Sequence, residues 1–600
     1  MKSLRARALL VGGTASLLLA IPAFSQENQG PESLLPPGFG DPQNLPPPVE
    51  KTEPQARPQT TRAPPAPAAR RPAEVQETRE LSDEELEQLE RLRPTNYFSI
   101  PQGVARPVDA VGLLAPGNFG LPANAFGGAS GPFLATLMHR LDAPLPSRWA
   151  SILLRRVLLS RLEAPAGIHP VDFVAARADL LLRLGEADAA RMLVQSVDRE
   201  FYTPRMLEVA AQTALATADP AGLCPLVDDG ARTAAWKLSE AMCAALEGEP
   251  ARSSSLVDEA RRQGGVSDVD VLLAQKVIGA GPEARRAASI RWEEVDALSP
   301  WRLGLASATG AEIPAQLVGR ASLPMQAWYA RSPMIPVEQR LGAAAIAASL
   351  GVFSSRSLAE LYSLAFDATD IAEQEGTVAA RLRAAWTERD PGERLEALRA
   401  LWDEGEGDHG RHARLILTSG AAARIPAVED FAADSANLVA SMFAGGYDRE
   451  AARWGAVVED GGNDRGWAML AVGAPSAVVD VSAGRVRDYI GGDESAGRRR
   501  SQLLVAALAG LGRIGEGDVP SLASELDLRL GGDDRWSAAI DRAARDREPG
   551  TVVLLTAVGM QTGGWRGVPP QYLFRALRAL RTVGLEFEAR MIAAEAMARL

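Results

Sequence analysis

Cysteine is almost missing from this chain of 600 residues: only Cys224 and Cys243 carry a thiol, 19 positions apart. Two thiols cannot complete a four-ligand zinc site without histidines, and none stands near them. No cysteine follows the apolar N-terminal stretch, which leaves no acceptor for a lipid anchor. Lysine is nearly absent as well, with Lys2, Lys51, Lys237 and Lys276 the only four. None of them closes the Gly-Lys-Ser/Thr end of a phosphate loop. Arginine therefore carries nearly all the positive charge, which together with abundant alanine and glycine reads as the coding bias of a GC-rich genome. Basic residues are outnumbered, 64 against 76 acidic ones, for a net charge of −12. That balance argues against a nucleic-acid partner, which needs a basic face to neutralise phosphates. Beyond the N-terminus no run is apolar enough to span a bilayer, so no integral membrane span is expected in the mature chain.

What is present begins with an export signal. Lys2, Arg5 and Arg7 precede an apolar core from Ala8 to Phe24, diluted by Gly12, Gly13, Thr14 and Ser16. The core falls short of the ~20 apolar residues a spanning helix needs. Ala23 and Ser25 are the small residues a signal peptidase reads, so cleavage is expected between Ser25 and Gln26. Residues 1–25 are then a signal peptide, and the mature chain is periplasmic or secreted. An oxidising compartment makes a Cys224–Cys243 disulfide the expected use of the two thiols. Residues 26–79 are dense in proline and poor in aromatics, which predicts a disordered, partly polyproline linker.

Order is expected from "LSDEELEQLERL". Ser82 and Glu85 form a capping box there, and Leu86, Leu89 and Leu92 lie on one stripe. The remainder of 80–146 is turn-rich, its proline and glycine spacing forbidding long helices. From Ser147 the pattern is helix after helix: Val171, Val174, Ala178, Leu181 and Leu182 share one face, and Gly185 stops it. Thr203-Pro204 and Asp219-Pro220 read as helix starts. "TVVLLTAV", 551–558, fits a strand or a buried helix equally.

In "LLLRLGEADAARMLV" a small residue, Ala190, follows the stopping Gly185 by five positions. "GGYDREAARW" and "VGLEFEARMIA" repeat this with Gly446 and Ala451, and with Gly584 and Ala589. The pattern resembles the helix-turn-helix junction of tetratricopeptide repeats, units of roughly 34 residues. The resemblance implies an all-α fold, an α-solenoid of stacked helical hairpins presenting surfaces for peptides or protein segments. The expected organisation is an array over 147–402, an acidic Gly-rich linker at 403–412, and a second helical block over 413–600.

Catalytic signatures are missing. "GGASG" at 127–131 misplaces the serine of a nucleophile elbow, and H-E-x-x-H does not occur. In "DEGEGDHGRH", Asp408, His409 and His412 have metal-ligand chemistry, but Gly405, Gly407 and Gly410 read as a solvated loop without a complete ligand set. No catalytic, cofactor or metal site is expected. Trp236, Trp292, Trp301, Trp386 and Trp402 read as core at helical spacing, or as the lining of a carbohydrate groove. The leading expectation is a non-catalytic scaffold or adaptor that binds another envelope protein in the bacterial periplasm. The alternative is an enzyme or carbohydrate-binding factor acting on cell-envelope polymer, which exposed aromatics and carboxylates gathered in one cleft would favour.

Overall fold

The computed structural model describes residues 105–600, apart from 231–232, 282–288 and 533. The signal peptide, the proline-rich linker and the helix expected at 81–92 lie outside the described residues. Within them the protein is all-α, save for two-residue strands Ala110–Val111 and Leu162–Glu163. These pair antiparallel, with Ala110 opposite Glu163 and Val111 opposite Leu162.

Arg177 holds this corner together. It is fully buried on helix Pro170–Arg183 and donates to the carbonyls of Leu158, Ser160 and Val111. Burial pushes its pKa down to about 9. That still leaves it charged at neutral pH, with three backbone acceptors in place of a carboxylate.

Sequence-adjacent helices pack as pairs: Pro170–Arg183 on Ala187–Gln195, Ala234–Leu246 on Pro250–Gln263, and Val378–Thr387 on Pro391–Asp403. The turns explain the glycine signal. Gly185 takes φ +89° and Gly446 φ +83°, a left-handed state that costs other residues ~1–2 kcal/mol. It lets the amides of Glu186 and Tyr447 reach back to Leu181 and Met442, each at 2.9 Å. The following small residues, Ala190, Ala451 and Ala589, are each fully buried where paired helices meet.

One expectation is corrected here. Residues 403–412 are not a linker: helix Pro391–Asp403 ends at Asp403 and helix Gly407–Ala422 begins four residues later. Tertiary burial of Ala413, Ile416, Leu417 and Ala421 outweighs the low helix propensity of Gly407 and Gly410. One hydrophobic core runs from Val111 to Met597 without a break at that point. "TVVLLTAV" lies in helix Pro549–Gly559, apolar all round because it is buried on nearly every side.

The ends of the array meet. The last helix, Glu586–Arg599, packs on Arg148–Leu159 as well as on Ser435–Gly445, Asp464–Gly473, Arg499–Leu511 and Pro570–Thr582. Residues Ala589 to Met597 are accordingly buried without interruption. An extended array with two free ends would leave this helix with a solvent face.

Candidate functional site

Closure creates a polar hub inside the core. Glu595, almost 450 residues from its partners, accepts from Ser147 Oγ at 2.7 Å and from the amides of Arg148 and Trp149 at 2.9 and 3.2 Å. Those are donors at the start of helix Arg148–Leu159, so a carboxylate from the last helix supplements its Ser147 cap. Arg599 Nη1 adds a fourth bond at 2.9 Å. The Arg148 side chain turns the other way, donating to Ala348 O and Ala444 O at 3.0 Å each and to Phe353 O at 3.4 Å. Desolvation lowers its pKa to about 10, with Glu595 opposing, so it remains a cation that ties together helix ends otherwise short of donors.

Helix Gly407–Ala422 brings the two predicted histidines to this hub. His409 Nδ1 lies 2.7 Å from Ser349 Oγ. His412 is buried, neither ring nitrogen has a hydrogen-bond partner, and Nε2 stands 3.6 Å from Glu595. Burial first, then the charges of Arg599 and Arg148, hold the His412 pKa well below 6.5, so the ring is neutral. Asp408 faces outward and pairs with Arg411 at 2.9 Å. The three residues do not converge on one point. Among the described residues no group of three or more His, Cys, Asp or Glu is placed to hold a metal ion.

The cysteines are brought together. Their sulfurs sit at bonding distance, 2.09 Å, with Cα atoms 5.4 Å apart. Cys243 belongs to helix Ala234–Leu246, whereas Cys224 lies in a 3-10 stretch, Pro220–Asp229. Pro225 lacks an amide hydrogen, and no α-helix forms around it.

The five tryptophans separate into two groups. Trp402 is buried and donates to Thr418 Oγ1 at 2.9 Å, and Trp236, Trp292 and Trp301 pack half-buried against the core. Trp386 alone is 37% exposed. It stands in a cleft of 560 Å³ whose walls are helices Ser355–Ala368 and Val378–Thr387 and whose floor is Leu417 and Gly420. Phe366 lies on one wall, and Tyr447 adds a second ring beside Trp386. A Cβ on Gly420 would come within 2.8 Å of the indole and 3.5 Å of the Tyr447 hydroxyl, so glycine there makes the seat for both rings. Arg383 lies over the Phe366 ring at 5.1 Å and Arg424 over Trp386 at 5.3 Å. The rims carry hydroxyls of Ser355, Ser363 and Thr387, with Glu360 bonded to Arg356 at 2.8 Å.

Sequence reasoning named Trp386 and the histidines but missed Arg148, Glu595, Phe366 and Tyr447. Tyr447 was within reach, since it follows the Gly446 that marks a hairpin turn. Nothing in the local pattern links Arg148 to Glu595.

The fold and these sites define an all-α protein with a closed helical core and a surface cleft. No protein-family model matches the chain, and neither does a curated protein or a solved structure.

Proposed function

We propose that this chain is an exported, non-catalytic helical scaffold of the bacterial periplasm, its hairpins stacked as a solenoid closed on itself, and that it binds another envelope protein. The observation that carries the reading is two exposed methionines, one lining a surface hollow and one next in the chain to its lining. Met192 is 50% exposed and Met334 60% exposed. Met192 lines a 400 Å³ hollow with Arg191, Trp328, Arg331 and Pro333, the last adjacent to Met334 in the chain. Flexible, polarisable thioethers at a solvent face suit adaptable protein contacts. The cysteine pair at disulfide distance is compatible with an oxidising compartment, and no helix among the described residues is long and apolar enough to cross a membrane.

Affinity capture from a native envelope extract tests the reading. The unaltered chain is expected to retain a defined protein, and Met192→Asp with Met334→Asp is expected to lose it while keeping the native thermal transition. Capture of the same protein by both forms, or turnover of an envelope polymer by the purified chain, contradicts it.

A further inference from the structure

We propose that the cleft between helices Ser355–Ala368 and Val378–Thr387 binds a neutral polysaccharide chain, stacked on Trp386 and Tyr447 and hydrogen-bonded along its rims. This goes beyond the adaptor reading and does not depend on it, because Met192 and Met334 lie on other segments of the chain.

The aromatic seat is the first ground. Four of the five singled-out tryptophans pack against the core, but Trp386 is left 37% exposed. Its resting place exists only because Gly420 has no side chain. A sugar ring has apolar C–H faces that stack on an indole or phenol, while its hydroxyls reach polar groups at the edge.

Those polar groups are the second ground. The lining holds four charged side chains in balance, Arg356 and Arg383 against Glu360 and Asp367, with Arg424 over the Trp386 ring adding one further positive charge. An anionic polymer would call for a larger excess of arginine, and a cationic one for an excess of carboxylate. A hydroxyl both donates and accepts, so a polyhydroxylated neutral ligand can use carboxylate and guanidinium alike. The serine and threonine hydroxyls extend the same pattern.

Dimensions are the third ground. Wall helix Ser355–Ala368 has 14 residues, and the lining runs from Ser355 to Asp367. At 1.5 Å per residue that is roughly 20 Å of groove, long enough for several sugars in a row. The small residues Ala359, Ser363 and Ala379 keep the trough open between the aromatic positions. A docked protein helix would instead require a continuous apolar strip, which the charged and hydroxylated rims interrupt.

The test is calorimetric titration of the full chain with two neutral hexasaccharides, a β-1,4-linked glucose oligomer and a β-1,4-linked N-acetylglucosamine oligomer, to about 1 mM. Binding of at least one is expected, and which one binds assigns the sugar type. Trp386→Ala is expected to weaken it at least tenfold, and Asp367→Asn several-fold. Gly420→Ala, whose methyl group displaces the indole, is expected to weaken it as Trp386→Ala does. Asp367 is exposed in the rim, so its variant remains informative should either of the others fail to fold. Failure of both oligomers to bind overturns the proposal, as does binding that is unchanged in Trp386→Ala and Asp367→Asn. Tighter binding of dextran sulfate than of either hexasaccharide, or a protein captured through Trp386, overturns it too.

Discussion

His412 sits where a charge is hardest to hold, in the core between Arg148, Arg599 and Glu595. Its pKa is depressed by burial and by the two arginines, so the folded chain refuses a proton that the unfolded chain accepts below about pH 6.5. Stability from this group is complete above that pH and declines as pH falls, by at most ~1.4 kcal/mol per pH unit. Urea unfolding of unaltered protein and His412→Leu between pH 7.5 and about 5 is expected to give a steeper loss for the unaltered chain. Equal slopes would show that the histidine is protonated in the folded state. Alanine at both His409 and His412, harmless were this stretch a linker, is instead expected to destabilise the fold. These residues were visible in the sequence as chemistry but not as core. The reason is physical: three glycines within six residues lower helix propensity, and only contacts with distant helices reverse that balance.

At the scale of elements, the hairpin turns were the most legible feature. A glycine that must take positive φ, followed by an alanine that must be small, leaves a local trace in "LGEADAAR" and "GGYDREAA" whatever the tertiary context. The segment holding Cys224 was less legible. A hairpin of two helices was the simplest geometry for cysteines 19 residues apart, but Pro225 converts the first arm to a 3-10 stretch. Closing a loop of that length limits the unfolded chain by ~3 kcal/mol in the chain-entropy model. Reduction and alkylation are therefore expected to lower the unfolding free energy by about that amount. Hydrogen exchange is expected to rise first in residues 220–246, the region the pair staples. Unchanged stability after verified alkylation of Cys224 and Cys243 would mean that the clamp constrains nothing.

For the whole molecule, closure is the feature that periodicity could not reveal. Hydrophobic spacing reports which face of a helix is buried and is silent on which partner buries it. The sequence of Glu586–Arg599 carries five charged residues and gave no hint of this, yet Ala589 to Met597 are all buried, whereas an end helix of an open stack keeps a solvent face. The hub explains why that helix tolerates a buried carboxylate: Glu595 meets four donors from both ends of the array. Closure also brings Trp149 beside Gly446, the residue before the Tyr447 that lines the aromatic cleft. The most direct measurement is native-state hydrogen exchange by mass spectrometry on Glu595→Ala, which removes the carboxylate and strands its donors at ~3–5 kcal/mol. The closed array predicts that amides of Arg148–Leu159 and Gly407–Ala422 lose protection together with those of Glu586–Arg599. Loss confined to the last hairpin, with Arg148–Leu159 as protected as before, would contradict it.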